Sequence, residues 1–188
     1  MKNTIAIVIA FMMIACGGTK KYTDAENVAY DNLRQLVQSK SFIVRSNTAS
    51  PMVSNAFMQV ANTNILGPGN TANNINIAST SNWLRVVGDT INGNLPFFGE
   101  QNFGGSLGSQ HQGIEFDSSP ENYKVTEHTD KHKIDINFQI EDEYRGNERY
   151  NVFITVFPNN SSTIRINSTS RSSIEFRGDV SSWSEEKE

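Results

Sequence analysis

Ile134-Asp135-Ile136-Asn137-Phe138-Gln139-Ile140 is the stretch on which the fold is read. Apolar and polar residues alternate without a break, and a period of two places one row against a core and the other in water, which is the signature of a half-buried β-strand. Downstream, Tyr144-Arg145-Gly146-Asn147 supplies a turn, and Tyr150, Val152, Ile154 and Val156 form the next inward row. Phe153 and Phe157 fall on the opposite face, which predicts that this strand is covered on both sides. Pro158-Asn159-Asn160-Ser161 turns the chain again, with Asn160 suited to a left-handed backbone. Ile164 and Ile166 mark another strand, Thr169-Ser170-Arg171 a turn, and Ile174-Glu175-Phe176 a last strand. Residues 181–188 form an acidic tail, expected to fray.

Working outward toward the N-terminus, the pattern weakens. Trp83-Leu84-Arg85-Val86-Val87 is followed by Gly88-Asp89, a tight-turn pair leading into Thr90-Ile91, because glycine accepts the positive φ of the first turn position. Ile75 and Ile77 alternate, and Phe42-Ile43-Val44 opens the first strand. Between residues 47 and 72, Pro51 and Gly67-Pro68-Gly69 interrupt any period, so most of that stretch reads as loop, with one weak strand near 57–60. Ahead of it Thr23-Asp24-Ala25-Glu26 reads as a capping box that opens a helix of about four turns. Ala25, Ala29, Leu33, Leu36 and Val37 share one stripe of that helix. Eight to ten strands joined in sequence order predict a mainly β domain: an antiparallel meander closing into a β-barrel, with one N-terminal helix and a two-sheet sandwich as the alternative.

The extreme N-terminus has a different character. Lys2 precedes an apolar run over residues 5–14, and Ala15 stands directly before Cys16. The run is about half of the twenty or so residues needed to cross a bilayer, so residues 1–15 read as a signal peptide that targets without spanning. Met13-Ile14-Ala15-Cys16 resembles a lipobox, in which the thiol is acylated and the chain is cut before the cysteine. Cys16 is the single cysteine of the chain, and residues 16–22 follow as a small, polar tether. Several acyl chains, at about 0.8 kcal/mol per buried methylene, would make anchoring to a membrane effectively permanent. The first acidic residue is Asp24, so the acidic retention and export signals that can follow such a cysteine are missing, and the expected location is the periplasmic face of the outer membrane.

Composition limits the partners. The net charge is −4, and loss of Lys2 with the signal makes it one unit more negative, which disfavours nucleic acid and anionic lipid as ligands. Residues 23–180 have the length of one domain with its own core, and no internal repeat is visible.

Motifs that suggest chemistry are each outweighed by a simpler reading. Gly104-Gly105-Ser106-Leu107-Gly108 has the pattern of a nucleophile elbow, yet that motif belongs to a strand-turn-helix in a larger α/β sheet, and Ser106 here lies between β-like segments. Residues 99–113 lack the Gly-Lys-Ser/Thr that a phosphate loop requires. His128 and His132 flank Thr129-Asp130-Lys131, which reads as an exposed hairpin turn and not as a metal site. Glu141-Asp142-Glu143, and Glu115 with Asp117, read as solvated strand ends and not as a glycosidase pair. Trp83, Phe97, Phe98, Phe103, Phe116 and Tyr123 gather around the Gly-rich stretch, where they could line a barrel mouth that accepts a small apolar ligand. The simpler reading is that the same rings fill a small barrel, whose interior is just wide enough for side chains.

The lipobox at Cys16, the helix leading into Ser41-Phe42, Leu84-Arg85-Val86-Val87-Gly88-Asp89-Thr90, Leu95-Pro96-Phe97-Phe98-Gly99, Gly113-Ile114-Glu115-Phe116, Thr155-Val156-Phe157-Pro158-Asn159 and Arg171-Ser172-Ser173-Ile174 stand in an order and spacing of their own. Together they resemble a family of bacterial lipoproteins known as domain of unknown function 4251. Asn160, where relatives tend to carry Gly, and the Asn-rich stretch 62–79 depart from the pattern. The resemblance implies a lipocalin-like barrel with an N-terminal helix, and no established activity or cofactor. Two functions are therefore expected in competition. One is a non-enzymatic binding module for a small apolar ligand or an envelope component, and the other an interaction or assembly lipoprotein with a filled barrel. A hydrolase using Ser106 is a remote third.

Overall fold

A computed structural model of the chain describes residues 21–52, 54, 55, 58, 59, 67–101 and 111–185. Cys16, Phe103 and Ser106 lie outside these residues.

Helix α1 (Asp24–Gln38) starts where the capping box predicts: Thr23 Oγ1 accepts the Glu26 N–H, and the Glu26 carboxylate accepts the Thr23 N–H at 2.8 Å. It buries Tyr30, Leu33 and Val37, so the stripe is rotated toward Tyr30 and leaves Ala25 exposed. Among the described residues ten strands follow: β1 (Ser41–Pro51), β2 (Ile75–Asn76), β3 (Trp83–Val87), β4 (Thr90–Leu95), β5 (Ile114–Ser118), β6 (Glu121–His128), β7 (Lys133–Glu141), β8 (Arg149–Val156), β9 (Ser161–Ser168) and β10 (Ile174–Ser182). All pairings are antiparallel, in the order β5-β4-β3-β1-β10-β9-β8-β7-β6, with β2 added to β1. The fold is thus mainly β with one N-terminal helix.

β1 is the hinge of the topology. It receives the last strand on one edge and the β3-β4-β5 meander on the other, so the two halves of the sequence join through it. The sheet curls into a half-barrel, and the closure expected from the sequence is not made, since β5 and β6 share no ladder. Only Ser119-Pro120 separates these two strands, yet they do not pair as a hairpin. The edge of β5 is instead covered by the loop after β7, where Glu143 N–H donates to Glu115 O at 2.8 Å. β6 guards its own edge with Glu121, Lys124 and Glu127.

The alternating rows behave as their period dictates. In β7 every apolar residue from Ile134 to Ile140 is buried, and in β8 Tyr150, Val152, Ile154 and Val156 are buried. These rows meet Phe42, Val44, Leu84, Ile91, Phe116, Ile164 and Phe176 in one core that α1 also enters. Phe42, Phe116, Tyr150 and Phe176 are each 0 % exposed, so the inward space is occupied by the protein's own rings. Gly93 explains how one of them fits: a Cβ there would lie 2.3 Å from the Phe116 ring, so the absence of a side chain on β4 makes room for it. The turns also follow the sequence, with Gly88 at φ +60° and Asn160 at φ +63°.

Several local expectations are corrected. β1 runs on to Pro51 because Thr48 to Pro51 find partners in β10, and a long-range ladder overrides a weak local pattern. Met58 and Gln59 are helical, Met58 N–H donating to Ser54 O at 3.0 Å, where a weak strand was expected. Phe153 is 45 % exposed, so β8 is covered on one side only. β10 reaches Ser182, and Trp183 is held to Ser41 by two hydrogen bonds, which ties down the start of the acidic tail.

Helix α1 lies across one end of the curled sheet. Its N-terminal side meets the β6–β7 turn, where Tyr22 Oη donates to Asp130 O, and its C-terminal side meets the β3–β4 turn, where Gly88 N–H donates to Lys40 O. Among the described residues no helix is long and apolar enough to cross a membrane.

Candidate functional site

The two ends of the half-barrel differ in chemistry. At the helix end, Tyr22 stacks on His132 at 3.4 Å and Tyr30 on its other side at 4.8 Å, both nearly parallel. His132, expected in an exposed turn, is therefore 8 % exposed, with Nδ1 buried and unpartnered. Beside this stack lies an open cleft of about 700 Å³, walled by Ala25, Ala29, Phe157 and Pro158 with Glu26 and Lys131 at its rim. His128 takes a separate role, its Nε2 standing 2.9 Å from Asp135 Oδ2. Burial alone would raise the Asp135 carboxyl, but the Lys133 ammonium and Thr155 hydroxyl outweigh that and hold it below the ordinary aspartate range.

The aromatics singled out by the sequence do not form one pocket. Phe116 is inside the core, tilted against Tyr150 at 6.2 Å. Trp83 is on the outer face of β3, where its Nε1 donates to Asn92 and its ring, with that of Trp183, sandwiches the Arg85 guanidinium. Tyr123 packs near Phe138 at the seam and lines a cleft of about 210 Å³ with Val86, Ile91 and Pro120. Phe97 and Phe98 pack against the core. Of the five described rings, Phe97 stands against Arg171 in the region described next, and Phe116 reaches that region only through Tyr150; Phe103 lies outside the described residues.

At the opposite end, charged side chains are buried. Arg171 is 4 % exposed, Glu148 4 % and Asp142 7 %. The reading of residues 141–143 as solvated fails at Asp142, because the β7–β8 turn folds back over it. Asp142 accepts the Tyr150 hydroxyl at 2.6 Å and the N–H groups of Tyr144 and Arg145 at 2.9 and 2.8 Å. Burial first, and then this carboxylate, push the Tyr150 hydroxyl far above the ordinary tyrosine range. Glu148 accepts from the hydroxyls of Ser168 and Ser170, and Ser168 Oγ in turn accepts the N–H of Arg171 at 2.9 Å. One continuous network thus runs from Tyr150 to Arg171, since Asp142 N–H also donates to Glu148 O.

Arg171 itself is fastened from one side. Its Nη1 donates to Gly113 O at 2.8 Å and Gln112 O at 3.1 Å, and the Phe97 ring stands 4.8 Å from its guanidinium carbon. Nε and Nη2 are buried and make no hydrogen bond, and no carboxylate of the described residues pairs with this cation. A charge kept out of water without a counter-charge is strongly unfavourable, which marks the position as a candidate binding site. Next to it His111 Nδ1 stands 3.1 Å from Glu115 Oε2 and its ring stacks on Tyr144 at 3.7 Å. Arg145 Nη2 donates to His111 O and so joins this pair to the same end. No group of three or more potential metal ligands is found among the described residues.

The sequence missed Arg171, Glu148 and Asp142 because charged residues in turns are usually solvated. A signal was present only indirectly, in the serines at 168 and 170 that flank the buried carboxylate.

Comparison with known proteins places this architecture. A crystal structure of a DUF4251 family protein from Bacteroides eggerthii DSM 20697, refined at 1.95 Å resolution, is similar in fold, with a TM-score of 0.55 over 84% of this chain and 90% of that one, at 15% sequence identity. No curated protein matches the chain. The family model for a domain of unknown function, DUF4251, matches residues 24–180, from the first residue of α1 to within β10, and the chain belongs to that family.

Proposed function

We propose that this protein is a lipid-anchored, periplasm-facing, non-enzymatic binding module that engages an envelope component through the polar end of its half-barrel. Acyl chains on Cys16 would hold it to the outer membrane, and the helix end, which begins only six residues after Cys16, would lie nearest that leaflet. The polar end then points away from the membrane, toward partners.

The observation that carries the reading is the buried Arg171 cation without a carboxylate. A filled core supports it as well, because Phe42, Phe116, Tyr150 and Phe176 leave the interior to side chains and move recognition to the ends. This favours the filled-barrel alternative over a ligand held inside a hollow one. The test is a photoreactive phenylalanine analogue placed at Tyr144, an exposed ring of the polar end, or at Phe153, an exposed ring on the outer sheet face. In cells, adducts should form reproducibly from position 144 and not from 153. Equal yields from both positions, or none from 144, would contradict the assignment.

One observation favours a second reading. The His111–Glu115 contact has the arrangement that a base and its orienting carboxylate would take in a nucleophilic triad, and Ser106 is near it in sequence. Ser106→Ala should abolish a hydrolase function, and an unchanged phenotype removes this reading.

A further inference from the structure

We infer that Arg171 is the receptor for a monocarboxylate with an apolar tail, held at the polar end of the half-barrel. This rests on the assignment of that end as the binding surface and gives its ligand a chemical class. A guanidinium offers paired N–H groups along two of its edges, and the edge made by Nε and Nη2 matches the two oxygens of a carboxylate in a planar, bidentate fit. In Arg171 the other nitrogen, Nη1, is tied to the carbonyls of Gln112 and Gly113. That fixes the plane of the group and leaves Nε and Nη2 as the unused pair.

Three features select the ligand. The cation is buried, so a neutral ligand would leave its charge uncompensated, whereas one carboxylate neutralises it. The same end already carries the carboxylates of Asp142, Glu148 and Glu115, held by Tyr150, Ser170 and His111 and not by Arg171, so a second negative charge on the ligand is disfavoured and a phosphate dianion fits worse than a monoanion. Phe97, stacked on the same guanidinium, presents apolar surface beside the site, which suits a hydrocarbon or aromatic tail. Its ring is half-buried and belongs to residues 96–100, which are neither helix nor strand.

The test uses the full mature lipoprotein in detergent, titrated with benzoate or hexanoate at constant ionic strength, with chloride and phosphate as comparison anions. Two readouts are followed: the thermal midpoint, and the Arg171 Nε–H resonance in a spectrum of arginine-labelled protein. Benzoate and hexanoate should raise the midpoint saturably and shift the Nε–H resonance with the same apparent constant, phosphate acting more weakly and chloride not at all. Arg171→Lys, which keeps the charge and loses the planar pair, should weaken the response by about tenfold or more. Arg177→Gln, which removes an exposed arginine paired with Glu175, should leave it unchanged. A wild-type resonance that no carboxylate moves, or a response equal for all four anions, overturns the inference, and it needs no folded variant to do so. If the titration fails while crosslinks still form from position 144, the carboxylate is wrong and the binding end stands. If the titration succeeds without those crosslinks, the end binds a small acid and not a larger partner.

Discussion

The helix end and the polar end close the same half-barrel in opposite ways. At the helix end the covering is apolar and stacked, with Tyr30, Leu33 and Val37 buried and Tyr22 and His132 face to face. At the polar end the covering is made of turns, and those turns bury Asp142, Glu148 and Arg171. A helix satisfies its own backbone and can seal a core with side chains alone, whereas turns leave backbone N–H groups that need acceptors. Asp142 supplies one to Tyr144 and Arg145, and Ser168 another to Ser170 and Arg171. The carboxylates at this end are thereby accounted for structurally. Arg171 is not, and that difference is what separates a structural network from a candidate site.

The comparison can be broken most severely from the core that both ends share. Phe116→Ala removes a fully buried ring that packs over Gly93, and should cost about 3–5 kcal/mol in denaturant unfolding, loosening both ends together. At the polar end Tyr150→Phe leaves the buried Asp142 carboxylate short of one donor and should cost about 1–3 kcal/mol. The same variant sharpens a pH prediction. The folded Tyr150 hydroxyl titrates above its ordinary value of 10.0, so its contribution is fully present below that pH and is lost as the pH rises beyond it. Tyr30 and Tyr123 are shifted in the same direction, so alkaline unfolding curves of Tyr150→Phe should show a shallower loss and not a flat one. At the helix end Thr23→Ala removes the capping box and should cost about 1 kcal/mol, read by circular dichroism on heating, without changing carboxylate binding. Smallest of all, Asp89→Asn breaks an exposed contact with Lys40 and should leave the thermal midpoint where it was.

How much of this was legible in the sequence follows the range of the forces involved. The alternation in Ile134 to Ile140, the Gly88 and Asn160 turns and the Thr23 cap are local, and each is found where the residues place it. β1 beyond Asn47 was not legible, because its partners in β10 lie more than a hundred residues away. The open seam was not legible either, because β5 and β6 lie at the two ends of the strand order and whether they meet depends on the curl of the whole sheet. The aromatic cluster was misleading because each ring's direction is set by its place in its own strand: Phe116 of β5 points inward and Trp83 of β3 outward. Buried charge at Arg171 was hidden by the ordinary exposure of arginine in a turn.

Recognition moves to the ends of the half-barrel only if its interior is filled by its own side chains. Crystals pressurised with xenon test that directly, since xenon enters apolar cavities that side chains leave empty. The account predicts no xenon among Phe42, Phe116, Tyr150 and Phe176; an ordered xenon atom enclosed by those rings would contradict it.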